Sequence, residues 1–222
     1  MKQNDFINKA LKALETHTVY ATGAFGAPIS HFPDQLDRYS KNMYNAVYKE
    51  DINNGKTEAY AKSDAEAWKN KVINAAKTKP CFAFDCCGLI KGIIWGWDGL
   101  TNKVYGGAVY ESNGLPDLGA GGGSGDLISY CTNVSSDFST IIPGEMLWIN
   151  GHVGIYIGDA MAIECTTAWK DCVQKTVVTN IRATKSGEYG RKWTKHGRLP
   201  WVEYVNKPSI ICPCCGAKFI LA

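Results

Sequence analysis

Two short stretches of this 222-residue chain hold residue types suited to nucleophilic chemistry. The first, AFDCCGLIK at 83–91, sets two cysteines directly after an aspartate. Asp85 is suited to cap a helix that starts at Cys86, because a carboxylate there accepts the orphan amide hydrogens of the first turn. Cys86 then sits where the positive end of the helix dipole favours thiolate, the nucleophilic form. Leu89, Ile90, Ile93 and Trp97 follow at helical spacing, which predicts a helix over 86–97 with Cys86 at the tip of a buried stripe. Cys87 is turned about 100° away around that helix. The plain alternative is a pair of inert core cysteines, since free cysteine is among the most buried residue types.

The second stretch, GHVGIYIGDAMAIEC at 151–165, reads as two strands around a tight turn. With the turn at Ile157, Gly158 and Asp159, and Gly158 supplying positive φ, position 152 faces 164, 154 faces 162 and 156 faces 160. Opposed residues share a face with Cβ atoms about 5 Å apart. One face then presents His152 and Glu164 beside the small residues Gly154, Ala160 and Ala162, and the other presents the core residues Val153, Ile155, Met161 and Ile163. The face left bare has room for the helix tip that carries Cys86. A slip of one residue would send Glu164 to the opposite side. In this arrangement His152 takes the thiol proton and returns it to a leaving amine, while Glu164 orients the imidazole and stabilises its charged form. A lone histidine is more often a satisfied core residue, but this one has a carboxylate at the right offset. His17 and His31 fall in polar loops and His196 in a basic segment, without comparable company.

These residues need a scaffold, and the composition supplies one. An apolar share of 45% and an aromatic share of 11% are those of a packed globular chain. A net charge of +3 is too small to argue for nucleic acid. The N-terminal stretch lacks the apolar run of a secretory signal, and no segment approaches the ~20 apolar residues that span a bilayer. Nine scattered cysteines read as mostly free thiols, not as a disulfide framework. Residues 4–15 have a helical pattern, with Phe6, Ala10, Leu11 and Leu14 on one face and Asn4 or Asp5 as cap. TVYATGAFGAP reads as a turn-rich loop, and SDAEAWKNKVINAAK as a helix capped by Ser63 with Glu66 completing a capping box. From about residue 145 the period changes to that of strands. Helices first and an antiparallel sheet second make an α+β fold, with the nucleophile helix packed on the C-terminal sheet.

On DCCGLI at 85–90, PGEMLW at 143–148 and GHVGIYIG at 151–158, the chain resembles the NlpC-type cell-wall cysteine peptidases, which are papain-like. Their hallmarks are Asp-Cys-Ser-Gly-Leu at a helix start, a Pro-Gly-Asp before a strand, Gly-His-Val-Gly-Ile-Tyr, and a third polar residue twelve positions beyond the histidine. Here Cys87 stands in the serine slot, and Glu164 takes the third position, where His, Asn or Gln is commoner. The resemblance implies hydrolysis of an amide bond in bacterial peptidoglycan by Cys86, His152 and Glu164. It implies an oxyanion held by the Cys86 amide, with Tyr20 (in VYATGAFG) and Asp85 lining the site. About sixty residues separate Tyr20 from the cysteine, so a helical subdomain inserted at about 31–80 is implied within a catalytic domain of 1–205. FGAP, LIKGIIWGW and KVYGG make the chain most similar to endolysin domains aimed at clostridia and related gut bacteria. That likeness implies an enzyme held in the cytoplasm until lysis and then acting at the wall, with no cofactor and no membrane insertion.

The weaker signals are these. Cys212 and Cys215, with Cys214 between them, have C-x-x-C spacing in a cysteine-rich tail over 206–222, like half of a zinc ribbon. A structural zinc needs four ligands and no second C-x-x-C exists, so Cys214 or a partner chain would have to contribute; the other readings are a thiol-rich end and the start of a wall-binding module. GAGGGSG lacks the Lys-Ser/Thr ending of a phosphate loop and reads as a loop near the site. Trp95 and Trp97 read as core, and Lys185, Arg191, Lys192 and Lys195 as a solvated basic face. The rivals to a hydrolase are an acyltransferase with the same triad and a non-catalytic wall- or metal-binding module with structural cysteines.

Overall fold

The computed structural model describes residues 1–104, 123–205, 209–211 and 218–220. The glycine-rich run at 113–122 and Cys212, Cys214 and Cys215 lie outside the described residues. The described elements are helices α1 (Gln3–Glu15), α2 (Pro33–Asn53), α3 (Glu58–Ala75), α4 (Cys86–Ile94) and α5 (Ser124–Tyr130), with twelve strands. β1 (Thr18–Tyr20), β2 (Phe25–Ala27) and β3 (Phe82–Phe84) form a small sheet with β3 in the middle. The large sheet runs in the order β4 (Thr132–Ser135), β10 (Lys195–Arg198), β5 (Met146–Ile149), β6 (His152–Gly158), β7 (Met161–Thr166), β8 (Cys172–Val178), β9 (Gly190–Arg191). β11 (Ser209–Ile211) and β12 (Lys218–Ile220) pair separately. The fold class is mixed α+β. Among the described residues no helix is long and apolar enough to cross a membrane.

α4 is the centre of this arrangement, because all nine of its residues are buried. One face carries Leu89, Ile90 and Ile93 into a core shared with Phe6 and Ala10 of α1 and with Val153, Ile155, Ile163 and Cys165 of the sheet. Burial of each such aliphatic side chain is worth about 1.5–3 kcal/mol. On another side α4 touches the backbone of β2 directly. A Cβ on Gly88 would fall inside the Ala24 carbonyl oxygen, and one on Gly92 inside that of Phe25. α4 ends at Ile94, with Trp95 as its C-cap before Gly96 at φ +97°, so it is shorter than the expected 86–97. Trp95 and Trp97 are core, as expected, at 4% and 0% exposure.

Local reading erred in several other places. TVYATGAFGAP holds β1 and β2, which are too short to show a period of their own. Within residues 31–80 the chain forms a helical hairpin, α2 packed against α3. Thr57, not Ser63, caps α3, its hydroxyl accepting from the Tyr60 amide at 3.3 Å; Ser63 lies one turn and more inside. α1 starts at Gln3 after Lys2, without a side-chain cap from Asn4 or Asp5. Part of the expected glycine-rich loop, Ser124–Leu127, is the start of α5.

The α4–β2 contact sets a test. Gly92→Ala should cost about 1–3 kcal/mol by overpacking. Gly125→Ala in α5, where a new Cβ meets nothing within 4 Å, should be neutral or stabilising by up to about 1 kcal/mol. Urea-denaturation midpoints of the two variants check both expectations.

Candidate active site

The site begins at the turn before α4. Asp85 is the N-cap, its Oδ1 accepting from the Gly88 amide at 2.5 Å while Oδ2 accepts from the Gly23 amide at 2.7 Å. One carboxylate therefore holds the first turn of the helix and the loop after Tyr20 together. Burial and the neighbouring Cys86 thiolate push Asp85 up to about 7, against the pull of these two amides. Both oxygens are engaged with backbone, so Asp85 organises the Cys86 turn. Tyr20 pairs with Phe84 across β1 and β3, which puts it beside Cys86. Its hydroxyl is held protonated, chiefly by burial and then by the negative charge of Cys86 and Asp85.

The hairpin of β6 and β7 carries the other two groups, in a register two residues from the expected one. Ile155 pairs with Ile163 and Tyr156 with Ala162, and the ladder shifts before Gly158 meets Met161. Asp159 and Ala160 form the turn, both at positive φ, and Gly158 is also at positive φ beside it. A shift of two preserves the side of every residue, because strand side chains alternate with period two. His152 and Glu164 thus share a face, as expected, but sit diagonally, with His152 Nε2 and Glu164 Oε2 2.6 Å apart.

The side from which α4 approaches is the reverse of that expected. α4 packs on the Val153, Ile155 and Ile163 face, where its aliphatic residues find apolar partners. The bare face is filled instead by Trp193, and a Cβ on Gly154 would lie 2.9 Å from its ring. His152 is the first residue of β6, and it lies near enough to Cys86 for each to act on the other through hydrogen bonding and charge. With Nε2 on Glu164, Nδ1 is left for the sulfur.

The charges favour an ion pair. Cys86 is lowered well below an ordinary thiol, first by the Cys87 S–H and then by hydrogen bonding and charge from His152, against its burial. Cys87 itself is raised, so it keeps its proton, and its sulfur lies 3.9 Å from that of Cys86. That separation is long for a hydrogen bond, which leaves His152 and the helix N-terminus the weightier contributors. Burial alone would lower His152, but Cys86 and Glu164 overcome it and raise it. Burial would raise Glu164, and His152, Thr176 and Arg191 together lower it. All three directions favour thiolate, imidazolium and carboxylate.

Thr176 and Arg191 did not stand out in the sequence. Thr176 Oγ1 donates to Glu164 Oε1 at 2.5 Å, and Arg191 Nε donates to Oε2 at 2.9 Å. Arg191 is therefore not part of a solvated basic face. Trp193 stacks on His152 at 5.6 Å and 16°. A Glu-x11-Thr spacing across the neighbouring strands β7 and β8 is the only local hint of Thr176. Nor is His196 without company: it is 2% exposed, bonded through Nδ1 to Glu145 at 2.5 Å and through Nε2 to the Asp137 carbonyl at 3.0 Å. Among the described residues no group of three or more His, Cys, Asp or Glu is placed to hold a metal ion. A cleft of about 330 Å³ opens beside Tyr20, lined also by Thr22, Glu50, Asp64, Trp68 and Thr167.

Comparison of the sequence with protein-family models and with curated proteins finds no match.

The ion pair predicts unequal cysteine reactivity. At pH 6 an ordinary thiol is only about 0.3% ionised, and Cys81 and Cys131 are pushed up by burial to about 12. Iodoacetamide at that pH should therefore label Cys86 before any other described cysteine, as read by peptide mass spectrometry. In His152→Ala the onset of Cys86 labelling should move to higher pH, since the imidazolium that favours the thiolate is gone.

Proposed function

We propose that the chain is a papain-like cysteine hydrolase that cleaves an amide bond in bacterial peptidoglycan. The observation that carries this reading is the buried Cys86–His152–Glu164 assembly, with thiolate and imidazolium as its favoured state. The peptidoglycan part rests on the motif resemblance around Cys86 and His152, together with a cleft beside Tyr20 whose ~330 Å³ is within the usual range for a ligand site. The enzyme would act at the cell wall.

In this reading the Cys86 thiolate attacks the amide carbonyl, and the carbonyl electron pair moves onto oxygen. The oxyanion meets the Cys86 amide at the helix N-terminus, with the protonated Tyr20 hydroxyl as a second donor within the same site. Collapse of this intermediate breaks the C–N bond as His152 gives its proton to the departing amine, leaving a thioester on Cys86. Neutral His152 then takes a proton from water, whose oxygen attacks the thioester. The acid departs, and thiolate and imidazolium are restored. Glu164 stays ionised throughout and compensates the imidazolium charge.

Both limbs of the pH profile follow from this cycle. Activity needs Cys86 ionised and His152 protonated, so a lowered Cys86 extends the acid side and a raised His152 extends the alkaline side. A bell spanning neutral pH is expected. Purified cell walls digested with the protein should yield new amine and carboxyl ends, identified by fragment mass spectrometry, and Cys86→Ala should yield none. Products joined to an added amine in place of free acid would make the protein an acyltransferase. Full wall clearing by Cys86→Ala would sink the cysteine mechanism.

A further inference from the structure

Glu164 is the wholly buried member of the assembly, and one of its three side-chain donors is a cation from a strand two places away in the sheet. Arg191 belongs to β9, which pairs in parallel with β8 so that Val178 lies beside Arg191. Its Nε lies 2.9 Å from Glu164 Oε2, the same oxygen that His152 Nε2 meets at 2.6 Å. Its terminal nitrogen also reaches Thr166 Oγ1 at 3.3 Å. The guanidinium sits 4.9 Å from the Trp169 ring centre and 5.6 Å from that of Trp193. Trp193 in turn stacks on His152, and Trp169 on Tyr189 at 5.4 Å. Trp169, Arg191, Trp193 and His152 thus form one continuous layer over the sheet.

We propose that Arg191 is a positioning residue of the triad, holding the Glu164 carboxylate, and through Trp193 the imidazole, in the orientation from which His152 meets Cys86. This rests on the reading of Cys86, His152 and Glu164 as catalytic. A glutamate in the third position needs such a partner. A neutral amide there would carry its own donor and no charge, whereas a buried carboxylate must be supplied with donors or it will swing toward whichever group can meet it. Thr176 holds Oε1, and Arg191 with His152 holds Oε2, so the carboxylate plane is set from both ends. A guanidinium suits the place because it is planar, stacks on indole and donates from Nε in a fixed direction. The ionisable groups around the pair are Cys86, Cys87 and Asp85 at the start of α4, Tyr20 on β1 and Cys165 on β7. Two cations act on Glu164, the His152 imidazolium and the Arg191 guanidinium, and of these Arg191 stays charged whatever the state of the imidazole.

The test reads Cys86 directly and needs no cell wall. The rate of iodoacetamide labelling of Cys86 at pH 6 is measured for the wild type, Arg191→Ala, Glu164→Gln and the double variant, beside thermal unfolding of each. Arg191→Ala should slow labelling by about tenfold or more, taking as a guide the loss when the outer partner that orients a metal-binding histidine is removed. Added guanidinium at a concentration that leaves the fold intact should restore part of the rate. The double variant should be no slower than the slower single variant, because Arg191 acts through Glu164. If Arg191→Ala does not fold, Arg191→Lys carries the comparison, since an ammonium keeps the charge but cannot stack or donate from Nε. Labelling in the variant equal to or faster than wild type would overturn the proposal, as would losses that multiply in the double variant. A wild type in which Cys86 is labelled no faster than the other cysteines would instead refute the hydrolase reading itself. On walls, the variant should lose kcat with KM within about twofold, because the substrate cleft is untouched.

Discussion

A carboxylate with no exposure to water must find its donors inside the protein, and that requirement organises this molecule's working end. Glu164 is 0% exposed. His152 comes to it from β6, Thr176 from β8 and Arg191 from β9, so four adjacent strands each place one polar group on the same face. Each donor lowers the cost of burying the charge, and the buried charge in turn raises His152 and favours the ionised Cys86. Remove the carboxylate and the imidazole has no anion behind it. Remove its donors and the carboxylate is an unmatched charge in a core, which is strongly destabilising.

The sulfur reaches this cluster because α4 is seated so closely. Gly88 and Gly92 let the helix touch the backbone of β2, and Asp85 ties the helix start to the Gly23 loop. The helix therefore cannot slide, and Cys86 is presented at one place. A second histidine–glutamate–arginine set in the same sheet makes the contrast clear. His196, Glu145 and Arg198 are joined at 2.5 and 3.0 Å, and the second nitrogen of His196 is bonded to the Asp137 carbonyl. With both ring nitrogens committed to protein, that set has no nitrogen left to exchange a proton with a nucleophile and serves to fasten β10 to β5. His152 differs in having one nitrogen on a carboxylate and the other toward a thiol.

The helical hairpin α2–α3 is the part of the chain least tied to this electrostatic core. It packs on the small sheet through Tyr39, Met43 and Val72 against Val19, Ala21 and Ala83. Its inner side nevertheless forms a wall of the cleft next to Tyr20, with Met43, Glu50, Asp64 and Trp68 lining it.

Much of the site was written locally. The Asp85 cap, the buried stripe behind Cys86 and the shared face of His152 and Glu164 all follow from periods of three to four or of two residues, which short segments carry in themselves. The register shift of two residues in β6–β7 did no harm for that reason. Local pattern failed where the partner is distant. The short strands β1 and β2 depend on what packs against them, and so does the choice of which sheet face receives α4; the cap at Thr57 is a local bond to the Tyr60 amide that the Ser63 reading passed over.

The amino-acid order by itself determined which residues could act as nucleophile, base and brace, and on which side of each element they project, because these are properties of neighbours along the backbone. Only the tertiary structure decided that Arg191, Thr176 and Trp193 join them, and that His196 is sealed by Glu145. Those pairings link strands far apart in the chain, and they are selected by the cost of leaving a buried charge or an aromatic face without a partner, which no short stretch of sequence can express.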